Sequence, residues 1–529
     1  MKKINIFNKI ACLALGLAVM MATSCTSDLD RFPSNDSTDK EVYNTFDGYK
    51  EALAKVYGGY TLTGNSGPAG SGDISGLDEG SYADFIRGFF NAQELPTDEV
   101  MCIWSDDGIS GLNYINFSSS NPFTRGLYSR SMTHIMYANS FIQNSADGIV
   151  NGKGFSATEV QEIGYFNAEA RFLRAFQYWV LMDLYGNPPF VDENSPLDDM
   201  PEQIKRADLF AYIESELLEI KDLLQEPRQN EYGRADKAAA WALLARLYLN
   251  AAVYTGTAKY TEAATYSKMV IDAGYTLKPN YEDLFLADNN LNNNEIILSI
   301  NYDGTYTRNY GGTSFLINSS FTAKLETDHG LSYGLSGAWG GNRTRGKFSE
   351  KFDAADGRKL LAGDTPVITD VTDFYHGLAS YKFRNITSAG VGGTNTNFAD
   401  TDFPLFRLAE MYLIYAEAVK RGGTGSDANA LTYMNLLRVR AFGNSTENYG
   451  SFAAVTLDEI LDERARELYW ECHRRTDLVR YGYFTTARYM WEWKGGTKEG
   501  RSVSSHYNIY PIPSTDITAN PNLKQNPNY

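Results

Sequence analysis

The feature that most restricts the fold is a series of segments in which apolar residues recur at helical spacing. Leu173, Phe176 and Val180 share one face of a helix within 163–185, as a period of 3.6 residues requires. The segment DKAAAWALLARLYLNAAVY (236–254) interleaves alanine with large apolar residues, as tightly packed helices require. The sequence therefore predicts helices over 163–185, 207–224, 236–254 and 260–274.

Three further segments with helical spacing follow at 404–421, 427–441 and 456–480. The last opens on Thr456 with Glu459 three residues later, the pattern of a capping box. Helices that come in successive pairs, with alanine at positions of close approach, resemble tetratricopeptide-type repeats, although no fixed period is kept. We predict a mainly α chain, built as a tetratricopeptide-like scaffold of helical pairs with long irregular loops and little β structure.

The segments 58–130 and 300–400 have a different composition, rich in Gly, Ser, Asn and aromatic residues. Loops of this length within a compact protein commonly carry function. Binding residues are often found on loops that a rigid scaffold positions. We therefore expect ordered, aromatic-bearing loops on the helical scaffold and look there for a binding site.

The charge balance excludes one class of partner. The chain has 529 residues and a formal net charge of −17, whereas binding to nucleic acid needs clustered Lys and Arg. The five histidines lie far apart in the sequence, which argues against a histidine metal cluster. We expect no nucleic-acid partner.

The sequence lacks the common catalytic signatures. It has no His-Glu-x-x-His helix, no phosphate loop and no Gly-x-Ser-x-Gly elbow. The segment ELPTDE (94–99) could supply a pair of carboxylates for glycoside hydrolysis, although surface acids are common in so acidic a chain. We predict that the protein is not an enzyme and uses no catalytic cofactor, with an all-helical surface glycoside hydrolase as the alternative.

The N-terminus has the layout of a secretory signal. Lys2 and Lys3 precede an apolar run from residue 10 to residue 21, and small residues lead to Cys25. The run is too short for a membrane-spanning helix. We predict a signal peptide over 1–24, lipidation of Cys25, a tether over 25–40 and a single domain over 41–529. An ordinary cleaved signal with an incidental cysteine is the alternative.

Three motifs in order resemble the SusD/RagB family. They are AEARFLRAFQYWVLMDLYGNPPF (168–190), DERARELYWECHRRTDLVRYG (462–482) and YPIPSTDITANPNLKQNPNY (510–529). The resemblance covers essentially the whole mature chain and is strongest to starch-binding members. It implies a lipoprotein on the outer face of the outer membrane that binds glycan and caps a TonB-dependent transporter. Asp28 and Asp30, just after Cys25, agree with export to that face. The charged residues of the second motif fall on the predicted helix 456–480, where we expect most of them to form internal ion pairs.

The resemblance also implies a glycan site. Sugar rings have apolar faces that stack on aromatic rings, while their hydroxyls need polar partners. Matching by local motif gives three rings for the stacking, Trp104, Tyr310 and Trp339, and three polar partners, Asp78, Arg87 and Asp107. We expect an α-glucan such as starch or maltooligosaccharide. A binder of a different polysaccharide and a repeat adaptor that holds only protein partners are the other readings.

A structural calcium site is a further expectation. The segment DNNLNNNE (288–295) places oxygen-bearing side chains at alternate positions, and calcium prefers oxygen ligands. The family resemblance adds two acids to this loop. The expected ligands are Asp288, Asn290, Asn292, Glu295, Asp400 and Asp402. Asn-rich loops are also often only turns. Whether Cys102 and Cys472 are bonded to each other is left open by the sequence.

Overall fold

The computed structural model describes residues 39–64, 72–78, 80–196 and 198–529. The predicted signal peptide and Cys25 lie outside these residues, as does nearly all of the tether, so their assignment stays a prediction. Backbone contacts divide the chain into a unit that ends at Ala52 and a unit from Leu53 to Tyr529. In the first, Tyr43 and Tyr49 pack edge to face with ring centroids 5.1 Å apart. Apart from α1 and the first half of α2, the elements described below belong to the second unit.

Helices account for most of the regular structure. In chain order they are α1 Asp39–Val42, α2 Phe46–Gly58, α3 Phe85–Glu94, α4 Ile109–Asn113, α5 Pro122–Asn144, α6 Asp147–Val150, α7 Ala157–Tyr185, α8 Arg206–Ile220, α9 Lys237–Leu249, α10 Ala251–Thr255, α11 Tyr260–Asp272, α12 Gly312–Ser320, α13 Ala323–His329, α14 Gly346–Ser349, α15 Leu408–Lys420, α16 Asp427–Phe442, α17 Leu457–Leu468, α18 Arg474–Arg480 and α19 Ser514–Ala519. Short 3₁₀ turns occupy Glu282–Phe285, Lys494–Gly496 and Ser505–Asn508.

The helices pack in pairs. Helix α5 packs on α7, α7 on α8, α9 on α11 and α15 on α16, while α11 also packs on α15. Small residues make this close packing possible, since Ala239, Ala242 and Ala245 of α9 are completely buried. The tetratricopeptide-like scaffold of helical pairs that the sequence predicts is confirmed.

The β structure in the described part of the chain consists of three short antiparallel pairs. The strands are β1 Val100–Cys102, β2 Ile296–Ile300, β3 Asn342–Thr344, β4 Leu361–Ala362, β5 Ala379–Ser380 and β6 Phe403–Arg407. Strand β1 pairs with β3, β2 with β6 and β4 with β5. The β1–β3 and β2–β6 pairs join segments that are far apart in sequence, whereas β4 and β5 are near neighbours in the chain.

Two predictions about the loops and helices need correction. The segments 58–130 and 300–400 are not irregular throughout, because they contain α3, α4, the start of α5, helices α12 to α14 and strands β3 to β5. The predicted helix 404–421 begins only at Leu408, since 403–407 form β6. Short apolar runs fit a strand and a helix equally well, and pairing with β2 decides this one.

The predicted helix 456–480 is broken in two, although its capping box is present as predicted: Thr456 Oγ1 accepts from Glu459 N, and the Glu459 side chain bonds back to Thr456 N. Helix α17 ends at Leu468 and α18 begins at Arg474. Between them Trp470 and Cys472 have φ angles of 62° and 66°. This left-handed conformation interrupts a helix.

The charged residues around this break form buried ion pairs, as expected. Arg464 Nε lies 2.7 Å from Asp477 Oδ2, Arg474 Nε lies 2.6 Å from Asp98 Oδ1, and Arg480 Nε lies 2.7 Å from Glu417 Oε1. Removing one partner of a buried pair costs about 3–5 kcal/mol because the other charge is left unpaired. These pairs hold the C-terminal helices against the rest of the fold. Within the described ranges, no helix is both long and apolar enough to span a bilayer.

Candidate functional site

Strand pairing brings Trp104 to the loop that carries Trp339. In the β1–β3 ladder Cys102 lies opposite Asn342, and Ile103 N donates to Gly341 O at 2.9 Å. An antiparallel register that continues in this way places residue 104 opposite residue 340. A Cβ atom placed on Gly341, whose φ is +111°, would lie 2.3 Å from Trp104 Nε1. Glycine at this position therefore lets the indole of Trp104 lie against the backbone.

The loop of Trp339 is held by Asn318, near the end of α12. The Asn318 carbonyl accepts hydrogen bonds from Trp339 N at 2.9 Å and Gly340 N at 3.2 Å, and Asn318 Oδ1 accepts from Ala338 N at 3.1 Å. Ala338 and Gly340 have φ angles of 45° and 64°. Asn318 thus fixes a left-handed turn that presents the half-buried indole of Trp339.

Tyr310 stands immediately before α12, on a loop held by Asp84. The carboxylate of Asp84 is buried and accepts from Arg87 N at 2.7 Å, from Gly312 N at 3.0 Å and from the amide of Asn309. A Cβ atom on Gly311 would lie 2.1 Å from Asp84 Cγ, which explains the glycine there. Burial raises the pKa of Asp84, while the three hydrogen bonds oppose this rise.

Phe315 of α12 packs against both Trp104 and Arg87. Its ring centroid is 6.1 Å from that of Trp104, at an interplanar angle of 64°. The guanidinium carbon of Arg87 lies 4.7 Å from the Phe315 centroid and 5.6 Å from that of Trp104. Because Tyr310 precedes α12, Phe315 lies within it and Asn318 lies near its end, this one helix positions all three rings.

Arg87 is the basic group of the site. Its Nη1 donates to Gly80 O at 2.8 Å, whereas its Nε is buried without a hydrogen-bond partner in the described structure. Burial lowers the pKa of Arg87. Asp78 closes the turn above it, since Asp78 Oδ1 accepts from Gly80 N at 3.0 Å. The site therefore contains a buried donor, Arg87, and an exposed carboxylate, Asp78.

These residues line one open cleft of about 480 Å³. Five of the six predicted glycan residues contribute to it. The lining consists of Asp78, Gly80, Ser81, Arg87, Trp104, Asp106, Tyr310 and Trp339. The ring centroids of Tyr310 and Trp339 are 6.4 Å apart at an angle of 54°. Among the described residues, Asp106 lines the cleft, whereas the predicted Asp107 does not and is exposed nearby.

The cleft has the chemistry of a sugar site. Its three rings are half-buried or exposed, so each is anchored by packing and still offers a face to a ligand. The tilt between Tyr310 and Trp339 makes a curved rather than a flat aromatic surface. Hydroxyl groups can donate to Asp78 and Asp106 and accept from Arg87.

Sequence comparison places the chain among known proteins. Residues 357–529 match the model of the SusD family, and residues 120–249 match a family described as starch-binding and associating with the outer membrane. The starch-binding protein SusD of Bacteroides thetaiotaomicron is 38% identical over 96% of this chain and 96% of its own length. The chain belongs to the SusD family.

Solved structures agree on the fold of this SusD-family protein. Surface glycan-binding protein A of Bacteroides uniformis superposes with a TM-score of 0.71 at 22% identity, covering 91% of this chain and 99% of its own. Surface glycan-binding protein A of Bacteroides thetaiotaomicron, in complex with laminarihexaose, gives a TM-score of 0.68 at 21% identity, with 91% and 99% covered.

The acids considered for hydrolysis have another role. Glu94, Asp98 and Glu99 are all buried. Glu94 Oε1 accepts from His473 N at 3.0 Å, and Glu99 accepts from Trp470 N, so both carboxyls bind the backbone of the α17–α18 break. Burial raises the pKa of Glu94 to about 8. These carboxyls are part of the interior and do not face the cleft.

The predicted calcium ligands do not form one site. Glu295 is buried, with its oxygens 2.9 Å from Arg407 Nη1 and 2.7 Å from Arg440 Nη1. Asp288 accepts from Ser388 instead, at 2.8 Å from its backbone nitrogen. Asn290 and Asn292 are exposed. Over the described ranges, no three His, Cys, Asp or Glu side chains are grouped to hold a metal ion.

Hydrogen bonds join the 288–295 loop to the backbone of Asp402. Asn289, which is buried, donates to Asp402 O at 2.9 Å and accepts from Asp402 N at 3.1 Å. Asp400 Oδ1 accepts from Gly304 N at 2.7 Å and from Thr394 Oγ1 at 2.7 Å. The residues as placed do not fit a calcium ion. Calcium binding, with Glu295 among its ligands, stays an untested prediction, and in this structure the Glu295 carboxylate is engaged by Arg407 and Arg440.

The two remaining cysteines are free. Cys102 lies in β1 and Cys472 in the α17–α18 break, and both are buried thiols. Burial raises the pKa of the Cys102 thiol to about 12, so it stays protonated at neutral pH. The question that the sequence left open is answered: these two residues are not bonded to each other.

Proposed function

We propose that this protein binds starch and maltooligosaccharides at the cleft of Trp104, Tyr310 and Trp339. The observation that carries the proposal is the convergence of three rings, from three separate segments of the chain, on one open cleft with acidic and basic groups beside them. Aromatic rings supply the stacking surface for sugar faces, and the charged groups select hydroxyl positions.

Two considerations favour an α-glucan. The relative at 38% identity is named as a starch-binding protein. The tilted rings of Tyr310 and Trp339 suit a chain that curls, as an α-1,4-glucan does, better than a flat β-1,4-linked chain. The structural relative in complex with laminarihexaose makes a β-1,3-glucan the competing ligand.

We also propose that the protein delivers its glycan to a TonB-dependent transporter of the SusC type in the outer membrane and does not hydrolyse it. Cys25 would carry the lipid that anchors it to the outer face. The buried state of Glu94, Asp98 and Glu99 supports a binding role, because a glycosidase needs two carboxyls that reach the scissile bond.

Calorimetry with maltohexaose, laminarihexaose and cellohexaose tests the ligand. We expect heat of binding with maltohexaose and little or none with the β-linked chains, and unchanged maltohexaose after prolonged incubation. A preference for laminarihexaose would replace the α-glucan by a β-1,3-glucan, and release of shorter sugars would favour the hydrolase.

Anchoring and partnership need experiments in cells. Protease treatment of intact cells should remove the wild-type protein from the surface, and Cys25→Ala should release or mislocalise it. Affinity purification from membranes should recover a TonB-dependent transporter. A wild-type protein that stays soluble in the periplasm would contradict the anchoring, and purification without a transporter would contradict the delivery role.

A further inference from the structure

An exposed pair of aromatic residues lies beside the cleft and outside its lining. Phe374 is 36% exposed and Tyr375 is 43% exposed, on the segment that leads to β5. Single exposed apolar residues are ordinary, whereas contiguous exposed apolar patches mark interaction sites or ligand-binding grooves.

Phe374 contacts the backbone directly after Trp339. A Cβ atom placed on Gly340 would lie 3.0 Å from Phe374 Cδ1 and 2.9 Å from Thr322 Cγ2. Gly340 follows Trp339 in the chain, and its φ of +64° favours glycine. Phe374 therefore lies against the turn that presents Trp339, next to the cleft.

The turn that carries the pair is braced by its own polar groups. Asp370 Oδ1 accepts from Thr372 N at 2.9 Å, Asp373 Oδ1 accepts from Tyr375 N at 2.8 Å, and His376 Nδ1 accepts from Asp370 N at 3.1 Å. A braced turn lowers the entropy that a ligand would otherwise have to remove on binding.

Tyr375 has a charged neighbour on α13. Lys324 Nζ lies 5.3 Å from the ring centroid of Tyr375, and Lys324 also pairs with Asp328 on α13. The Lys324 ammonium lies over the Tyr375 ring, and Tyr375 is still exposed to solvent. Asp373, the residue just before Phe374, has a carboxylate that can accept a hydrogen bond from a sugar hydroxyl.

We propose that Phe374 and Tyr375 form an outer subsite that binds the portion of a long α-glucan extending past Trp339. The inference rests on the proposed function of the cleft and adds a preference for chain length. A maltotriose unit occupies the rings of the cleft, whereas a longer chain continues onto Phe374 and Tyr375. The outer subsite gives the protein higher affinity for polymeric starch than for short products of its breakdown.

The test compares one short and one long ligand. Maltotriose binding is measured by calorimetry, and soluble amylose binding by retardation in an affinity gel, for wild type and for Phe374→Ala/Tyr375→Ala. We expect the maltotriose affinity to stay within about twofold and the amylose affinity to fall about three- to tenfold, as loss of one or two stacking contacts implies. Met136→Ala, which removes an apolar side chain 58% exposed on α5, is the matched control.

A second variant distinguishes stacking of the Phe374 ring on the glucan from packing of Phe374 against the turn that carries Trp339. Phe374→Leu keeps an apolar side chain beside Gly340 and removes the ring, so it should lose amylose affinity while keeping maltotriose affinity and melting temperature. Equal losses for both ligands would overturn the outer subsite, since the pair would then act through the cleft. Unchanged amylose affinity in the double variant would also overturn it. A wild type that binds neither ligand would instead refute the proposed function.

Discussion

Asp84 and Gly312 lie 228 residues apart in the sequence, yet Asp84 Oδ1 accepts a hydrogen bond of 3.0 Å from Gly312 N. The same oxygen caps α3 through Arg87 N at 2.7 Å. One carboxylate therefore joins the start of the helix that carries Arg87 to the start of the helix that follows Tyr310. The polar and aromatic halves of the cleft are held in place by this shared acceptor.

Removing this acceptor should loosen both halves. Asp84→Ala takes away the N-cap of α3 and leaves the amide groups of Asn309 and Gly312 without their partner. We expect the free energy of unfolding to fall by about 2–4 kcal/mol, since a lost cap and each unsatisfied buried donor contribute on the order of 1 kcal/mol or more. Chemical denaturation measures it.

Asp106→Ala is the control for Asp84→Ala, because Asp106 lines the same cleft but is exposed. Its unfolding free energy should stay within about 0.5 kcal/mol of wild type. Equal stability of wild type and Asp84→Ala would contradict the joining role of Asp84.

Glycine at 341 should matter for the ligand as well as for the backbone. Gly341→Ala would place a Cβ atom 2.3 Å from Trp104 Nε1, so the indole must move. We expect a several-fold loss of maltohexaose affinity by calorimetry. Gly390→Ala is matched, because Gly390 also has a positive φ, of +78°, with nothing within 4 Å of the added carbon. Equal affinities of the two variants would show that Trp104 does not need this backbone contact.

The sequence predicts the scaffold well because the buried apolar residues of a helix recur at a fixed spacing. Helices α7, α8, α9, α11 and α16 lie where that period indicates. Helix α5 is missed, although Asn121 accepts from Phe123 N and Thr124 N as an N-cap before Pro122. The break at Trp470 and Cys472 is also missed, because it depends on Glu94 and Glu99, whose carboxyls bind its backbone from far away in the sequence.

The site is predicted less completely. Family resemblance supplies the three rings, but their convergence depends on the β1–β3 register and on α12, which composition and periodicity do not reveal. Asp84 has a sequence signal, an acid just before an apolar helix. Asn318 and Phe315 have none, since their roles come only from tertiary contacts. The choice of Asp106 over Asp107 depends on the local turn after Trp104.

Chelation tests whether the 288–295 loop binds a calcium ion or is only a turn. Because Glu295 pairs with Arg407 and Arg440, we expect EDTA to leave the melting temperature unchanged. Glu295→Gln should lower the free energy of unfolding by about 3–5 kcal/mol, as loss of a buried ionic partner does. Asp288→Asn, at the less buried start of the loop, is the control. A lower melting temperature in EDTA, restored by added calcium, would show that a metal ion is bound after all.

Acid stability should depend on Asp98. Burial opposes ionisation of Asp98, but Arg474 outweighs burial and lowers its pKa from an ordinary 3.8 to about 2. A carboxyl with a lowered folded pKa stabilises the fold above its ordinary pKa and loses this contribution as the pH falls through the folded value. The stability difference between wild type and Asp98→Asn should therefore shrink between pH 4 and pH 2. A difference that stays constant over that range would contradict the pairing.

The most direct test of the account is calorimetric titration of maltohexaose into wild type and into Trp104→Ala/Trp339→Ala. We predict that the double variant melts near the wild-type temperature, because the helical pairs set the stability. Its affinity should be at least about tenfold weaker, or about 1.4 kcal/mol, as loss of two stacking rings implies. Tyr310→Phe, which keeps the third ring, should bind within about threefold of wild type. Wild-type affinity in the double variant would contradict the placement of the glycan in this cleft.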